Sequence, residues 1–367
     1  MKTPTRSVVI RSTSGVFEPR FMSTIKFLSE ISADVTAIRW SRTVREREIL
    51  EPHDPWVFKV QANYGGGFKN YYSHLKFMYF TYTSLKRIKP DVVYACDLDT
   101  LIPTLVWGQR KSYLLIFDQF DPLSAKSGNP ILSRLLDRLE LALSKKADFR
   151  VTPNLNRISA DYTNDWFEIK NLFEIENPKP MNHPSSKYLQ LFYGGVLSKD
   201  RGLIALSSAV LAMSRWQFQV FGQGPEFIEL KAANHPRITA KGLVDHKLLM
   251  QNAQKAHIYA ALYDPKFNHN QKTASNKLFE AAQLGVPLLA AKNTHLGEIV
   301  ERFGLGWTVH YDNVEEIIGV LTKFENSESE EMIQIKRNLQ EYFEHQLISK
   351  KESLNRLFTE VKRALEA

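Results

Sequence analysis

The amino-acid sequence predicts an α/β protein of two doubly wound, parallel-sheet domains, and three observations carry that prediction. The chain has 367 residues, enough for two domains of roughly 150–200 residues each. Short β-rich runs alternate with helical patterns along its whole length, the signature of parallel strands joined by crossover helices. The alternation pauses once, in the proline-bearing segment Asn171–Ser186 with Pro178, Pro180 and Pro184, and then restarts. That segment reads as a hinge. The expected division is an N-terminal domain over residues 1–175, a C-terminal domain over 176–345, and a last helix over 346–367 that crosses back to the first domain.

In the first half, Ser7–Arg11 (SVVIR) reads as a strand, with a turn at Ser14–Gly15 and a helix over Phe21–Ile31. Val35–Trp40 reads as the second strand and Tyr71–Ile88 as a long helix. Asp91–Ala95 is a strand, Thr100–Trp107 a helix, Tyr113–Phe117 a strand and Ile131–Lys145 a helix. In the second half, Leu189–Tyr193 is a strand ending in Gly194–Gly195, and Gly202–Met213 a helix. Phe218–Phe221 is a strand ending in GQGP, and Glu226–Ala233 a helix. Ile258–Leu262 is a strand, Asn276–Leu284 a helix and Pro287–Ala290 a strand. Ligands of such sheets bind at the carboxyl ends of the strands.

Composition narrows the class. Hydrophobic residues make up 43% and charged residues 24%, which fits a globular chain. The single cysteine, Cys96, excludes a disulfide framework and a cysteine-based zinc site, and fits a reducing compartment. No run approaches the roughly 20 apolar residues of a spanning helix, and the start lacks a secretory apolar core. The expected location is the cytoplasm, with peripheral attachment to the inner membrane face as an option. The net charge of +8 favours anionic partners such as nucleotide sugars or an anionic membrane surface, or serves solubility alone. Nucleic acid is not expected, since the chain has no zinc-finger spacing, RNP-type motif or basic block.

The most informative stretch is YDPKFNHNQKTASNKLFEAAQLGVPLLA, Tyr263–Ala290. It reads as strand, polar loop, helix, turn and strand. Thr273, Ala274 and Ser275 fall where the helix begins, and free backbone N–H groups there make an anion site. Lys277 lies in the first turn. A cation there opposes the helix dipole, so its presence suggests an anionic ligand. Glu280 shares its face and suits sugar hydroxyls, or forms an i, i+3 surface pair with Lys277. Glycine turns at Gly15, Gly194–Gly195 and Gly222–Gly224 follow predicted strands. Glycine lets a ligand approach the backbone, and Arg201 after the second turn can grip a diphosphate. Asp97 and Asp99 read as a metal pair or as a strand-end turn capped by Asp99 or Thr100. His269, His310 and His345 lack ligand spacing and read as surface or core histidines. The aromatic and basic segment Tyr71–Lys89 reads as membrane-surface or as core packing with solvated cations.

FYGGVLSKDRG, VFGQGP and ASNKLFEAAQLGVP resemble the C-terminal motifs of glycosyltransferase family 4, the retaining GT-B enzymes. Glu18–Arg20 (EPR), PDVVYACDLDTLIP and IFDQFD at Ile116–Asp121 resemble its N-terminal pieces. The resemblance implies a GT-B fold, two Rossmann-like domains facing across a cleft, and transfer of a sugar from a nucleotide-diphosphate sugar with retention and without a metal. It implies that Arg201 and Lys277 hold the diphosphate, that Glu280 binds the ribose, and that Thr273, Ala274 and Ser275 serve the phosphates or the sugar. Gly15 and Gly195 would line the donor, Gly242 and Leu243 the nucleobase, and Asp121 the catalytic acceptor side. Three positions depart from the pattern: Lys272 replaces the first glutamate of E-x7-E, Val196 an arginine, and Phe120 a histidine. The aromatic and basic segment Tyr71–Lys89 and the positive charge suggest as acceptor a glycan or lipid-linked saccharide in surface polysaccharide assembly. A sugar-nucleotide epimerase and a non-catalytic nucleotide-sugar-binding partner protein remain the alternatives.

Overall fold

The computed structural model describes residues 5–15, 18–43, 46, 50, 54–62, 68–108, 113–121, 130–158, 160–172, 187–232, 235–267, 270–271, 275–326 and 329–366. The expected hinge therefore lies almost wholly outside the described residues, as do Lys272, Thr273, Ala274 and His269. The chain divides into two compact units: Met1–Lys170 with Lys350–Ala367, and Asn171–Ser349.

The first unit is built on a parallel sheet of order β3-β2-β1-β4-β5-β6-β7. Its strands are β1 (Arg6–Arg11), β2 (Asp34–Trp40), β3 (Val57–Phe58), β4 (Val92–Cys96), β5 (Leu114–Asp118), β6 (Phe149–Thr152) and β7 (Phe167–Glu168). The central strands β4 and β5 are buried at every residue, as strands covered on both faces must be. Alternate side chains serve opposite faces. Val9, Val92, Tyr94, Cys96 and Ile116 join one core with Phe21 and Phe27 of α1 (Pro19–Ser29). Val8, Ile10, Val93, Ala95 and Phe117 join the other with Phe77 and Leu85 of α2 (Phe68–Ile88) and Leu101 of α3 (Leu98–Trp107). Helix α4 (Pro130–Ser144) follows β5.

Helix α1 starts two residues before the sequence-based expectation because Pro19, with its φ already helical, occupies the first turn. The chain enters α3 through Asp97, at φ 68° and ψ 168°, a backbone region that costs a non-glycine residue about 1–3 kcal/mol. Capping by Asp99 or Thr100 is not what forms. Thr100 Oγ1 instead donates back to the Cys96 carbonyl at 2.8 Å. Asp99 turns to His74 Nδ1 at 3.2 Å, and Asp97 to Arg11, so the two aspartates have separate partners.

The aromatic segment on α2 splits between the two readings of the sequence. Phe77 is fully buried and stacks on Trp40, with ring centroids 5.5 Å apart. Tyr72, Leu75 and Tyr79 are exposed. Helix α4 exposes a second apolar row, Ile131, Leu135 and Leu139, at the i, i+4 spacing of one helix face.

The second unit carries a parallel sheet of order β10-β9-β8-β11-β12-β13. Its strands are β8 (Leu189–Gly194), β9 (Trp216–Phe221), β10 (Ile238–Lys241), β11 (Ile258–Ala261), β12 (Leu288–Ala291) and β13 (Gly306–Val309). The helices are α5 (Leu203–Ala212), α6 (Phe227–Ala232), α7 (His246–Ala253), α8 (Asn276–Leu284), α9 (His295–Phe303), α10 (Val314–Asn326) and α11 (Ser329–Glu366). Helix α8 lies where the sequence places it, between an N-cap Ser275 and a left-handed Gly285 at φ 63°. The last helix, α11, runs from the second unit into the chain segment of the first. Its Leu357 and Val361 are buried in the first unit's core.

Candidate functional site

In both sheets the strand order reverses next to the first strand of the unit, between β1 and β4 and between β8 and β11. A crevice opens at such a switch point because the loops of the two neighbouring strands leave in opposite directions. In the second unit, the loop after β8 and the loop after β11 meet the start of α8 there.

The β8 loop is pressed against its neighbour. Gly195 donates its N–H to the Phe221 carbonyl at 2.9 Å. A Cβ on Gly222 would lie 1.7 Å from the Gly195 carbonyl oxygen, so only glycine fits. At Gly195 itself, at φ 144°, a Cβ would lie 2.9 Å from Lys277 Nζ. The glycine turn thus makes room for the lysine head. Beyond it, Lys199–Arg201 forms a single 3-10 turn. Tyr311 pins that turn: its hydroxyl accepts the Gly202 N–H at 3.2 Å and donates to the Lys199 carbonyl.

Arg201 and Lys277 come together at Tyr263. Lys277 is 9% exposed, and its Nζ donates to the Tyr263 hydroxyl at 3.1 Å. The same ammonium lies 4.8 Å from the Tyr193 ring centroid. The Arg201 guanidinium carbon sits 4.4 Å from the Tyr263 ring centroid, and Nη2 lies 3.4 Å from Asp200 Oδ2. Ser275 caps α8 by accepting the Lys277 N–H at 3.2 Å, and its Oγ is 2.5 Å from the Tyr263 hydroxyl.

These contacts set the charge states. Burial opposes a charged Lys277, but the fields of Tyr193, Tyr263 and Glu280 outweigh it and raise its pKa above the ordinary lysine value. Tyr193 is pushed up to about 12, chiefly by burial. Burial would raise Tyr263 as well, yet Lys277 and Arg201 prevail and hold it below the ordinary tyrosine value. The site is a compact cationic cluster in which Lys277 stays protonated at neutral pH.

Glu280 lies one turn further along α8 with partners of its own. Tyr259 donates to Oε2 at 2.7 Å, and His246 Nε2 lies 3.5 Å from Oε1. Burial works against its ionised form, but the His246 hydrogen bond and the Lys277 charge bring its pKa below the usual carboxylate value. The alternative of a Lys277–Glu280 surface pair therefore gives way to two separately held groups. Gly242 and exposed Leu243 follow β10 at the sheet edge. Nothing near Gly242 explains a glycine there, since an added Cβ would meet nothing within 4 Å.

In the first unit, Gly15 and Asp121 border a buried ionic cluster. Arg11 Nε donates to Glu18 at 2.8 Å, and Nη1 pairs with Asp97. The Asp121 N–H donates to Asp97 Oδ1 at 2.8 Å, and its exposed carboxylate lies 3.9 Å from Arg11 Nη2. Gly15 turns at φ 68° and accepts the Glu18 N–H at 3.1 Å. Phe120 lies between two guanidinium carbons, 4.3 Å from Arg11 and 4.9 Å from Arg20. Among the described residues no group of three or more histidine, cysteine, aspartate or glutamate side chains is placed to hold a metal.

Sequence reasoning left Tyr193, Tyr263, Tyr259 and His246 without roles. The tyrosines carried a signal, since each lies in or just after a strand that ends at the switch point.

No protein-family profile matches the chain, and no curated protein matches it by sequence. Solved structures do. Sucrose-phosphate synthase from Thermosynechococcus elongatus superposes with a TM-score of 0.69 at 13% identity, over 98% of this chain and 99% of that one. Anabaena HepE in complex with UDP-glucose superposes with a TM-score of 0.68 at 15% identity, over 96% and 99%. A putative UDP-N-acetylglucosamine 2-epimerase from Listeria monocytogenes gives 0.61 at 13% identity, over 92% and 91%. With two all-parallel α/β units and these neighbours across nearly its whole length, the chain has the GT-B fold.

Proposed function

We propose that this protein is a glycosyltransferase that moves a sugar from a nucleotide-diphosphate donor, with retention and without a metal, onto a lipid-linked saccharide. The observation that carries the donor side is the meeting of Arg201, Lys277 and the start of α8 at the switch point of the second sheet. Positive groups already dehydrated and aimed at one place suit a departing diphosphate, because they need no reorganisation as its charge develops. Glu280, ionised and held by Tyr259 and His246, suits ribose hydroxyls. HepE, on the same fold, holds UDP-glucose. An epimerase shares the fold as well, and fold alone does not fix chemistry. The transferase is favoured because the site is dominated by cations and its carboxylates are already engaged, Asp200 3.4 Å from Arg201 Nη2 and Glu280 with Tyr259 and His246.

Calorimetric titration with uridine, thymidine, cytidine, guanosine and adenosine diphosphates tests the donor site. At least one is expected to bind, and Glu280→Ala is expected to weaken that binding about tenfold while the fold survives. Incubation of the matching sugar donors with and without glycan acceptors then separates transfer from epimerisation. Donor conversion to an epimer without acceptor would reverse the assignment. No binding by any of the five nucleotides would remove it.

The acceptor reading rests on the first unit. The exposed row Tyr72, Leu75 and Tyr79 shares α2 with exposed Lys76, Lys86 and Arg87. Helix α3 contacts both α2 and α4, and α4 exposes Ile131, Leu135 and Leu139. Aromatic and apolar side chains suit the membrane interface, and each basic residue near an anionic surface adds about 1 kcal/mol. Among the described residues no helix is long and apolar enough to cross a membrane, so the attachment proposed is peripheral. Co-sedimentation with phosphatidylserine-containing vesicles is expected to rise with anionic lipid, fall with salt and weaken when Lys86, Arg87 and Lys89 become glutamine. Absence of binding even at low salt would point to an acceptor in solution.

A further inference from the structure

Arg201 and Lys277 stand on different elements, the turn after β8 and the first turn of α8. Two cations side by side repel one another, most strongly where water is scarce. Tyr263 lies between them, and it meets each with a different part of its side chain. Its ring face lies under the Arg201 guanidinium, where the aromatic quadrupole attracts a cation. Its oxygen accepts a hydrogen bond from Lys277 Nζ at 3.1 Å. The same oxygen reaches Ser275, the cap of α8, at 2.5 Å. One side chain thus touches three of the groups assigned to the diphosphate.

We infer that Tyr263 is a positioning residue of the donor site: it gathers Arg201, Lys277 and Ser275 into one clamp and leaves their remaining donors pointing to the diphosphate. This inference rests on the donor reading above. The hydrogen-bond inventory supports it. Ser275 Oγ already accepts the Lys277 N–H. With Tyr263 donating to Ser275 and accepting from Lys277, the serine hydroxyl hydrogen and two ammonium hydrogens are left for phosphate oxygens. Arg201 Nη1 is buried and makes no hydrogen bond among the described residues, a costly state for a charged donor and one that an anionic oxygen would end. A phenylalanine would fill the same volume and support Arg201, but it would leave Lys277 and Ser275 without their shared oxygen.

The inference has a pH signature. The charged and titratable groups that share the field of Tyr263 are Lys277 from α8, Arg201 from the turn after β8, Tyr193 from β8 and Tyr259 from β11, with Asp264 its chain neighbour. Lys277 and Tyr193 both titrate above their ordinary values, whereas Tyr263 titrates below its own. As pH rises, Tyr263 is therefore the tyrosine of this pair that becomes anionic first. Its phenolate then competes with the diphosphate for the two cations, so affinity falls as pH rises toward the tyrosine range.

The test uses the full chain, with whichever of the five nucleoside diphosphates binds most tightly for affinity and its matching sugar donor for kcat. Tyr263→Phe keeps the ring and is expected to lower kcat about tenfold, to change affinity less, and to abolish the alkaline fall in affinity. Tyr263→Leu removes ring and oxygen and is expected to weaken the nucleoside diphosphate at least tenfold as well. Thermal unfolding of both variants monitors the fold. Because Tyr263→Phe preserves packing, its kcat and pH profile separate positioning from a structural role. If the wild type binds a nucleotide and both variants match it in affinity, kcat and pH profile, the inference is overturned and the donor reading stands. If the wild type binds none, both fall together.

Discussion

Replacing Lys277 by alanine is expected to cut donor turnover by about 10²–10³, the scale of losing one preorganised electrostatic stabiliser. Arg201→Ala is expected to act on the same scale. The magnitude follows from where these groups lie. Lys277 is almost fully buried, so its dehydration is completed in folding and its charge acts at short range in a poorly screened site. Its pKa lies above the ordinary lysine value, so it stays protonated through the neutral range and the rate should show no titration of this group there. Lys277→Arg keeps the charge, but its planar fork does not fit the space left by Gly195, and only partial recovery is expected. Steady-state rates with a sugar donor, alongside thermal unfolding, provide the check. Wild-type turnover in both alanine variants would remove Arg201 and Lys277 from the donor site.

The second large effect is on stability. Asp118 is fully buried and accepts from Arg20 Nη2 at 2.6 Å, Arg20 Nε at 3.1 Å and Tyr94 at 2.7 Å. Arg20 is 7% exposed, and its other contacts include the Ile169 carbonyl and the Phe120 ring. Asp118→Ala leaves a buried guanidinium without its counter-charge. Removing one member of such a pair costs about 3–5 kcal/mol, far more than the intact pair contributes over an apolar substitute. Guanidinium-induced unfolding should show a loss of that size in the first unit. A loss under about 1 kcal/mol would mean that Arg20 finds other partners or reaches water.

Much of this was legible in the sequence because it depends on neighbours along the chain. The strands β1, β4 and β5 announce themselves as short β-rich runs, since strands covered on both faces read as near-continuous apolar stretches. Helix α8 is bounded by Ser275 and Gly285, whose capping chemistry acts within one turn. The edge elements were not legible. β10 buries only Ile238 of its four residues, ITAK, and is a strand because β9 offers it hydrogen-bond partners. β3 and β7 are two residues each and exist by the same means.

The sequence by itself determined the two-unit α/β architecture, the glycine turns at strand ends and the cations Arg201 and Lys277 near them. Periodicity, capping and turn chemistry are local, and they can be read residue by residue. Only the tertiary structure decided what those groups touch. It set Tyr263 between Arg201 and Lys277, turned Glu280 from Lys277 toward Tyr259 and His246, and parted Asp97 from Asp99. It also divided the aromatic residues of α2 between core and solvent. Each of these outcomes depends on contacts between residues distant in sequence, and tertiary packing selects them where no local preference could.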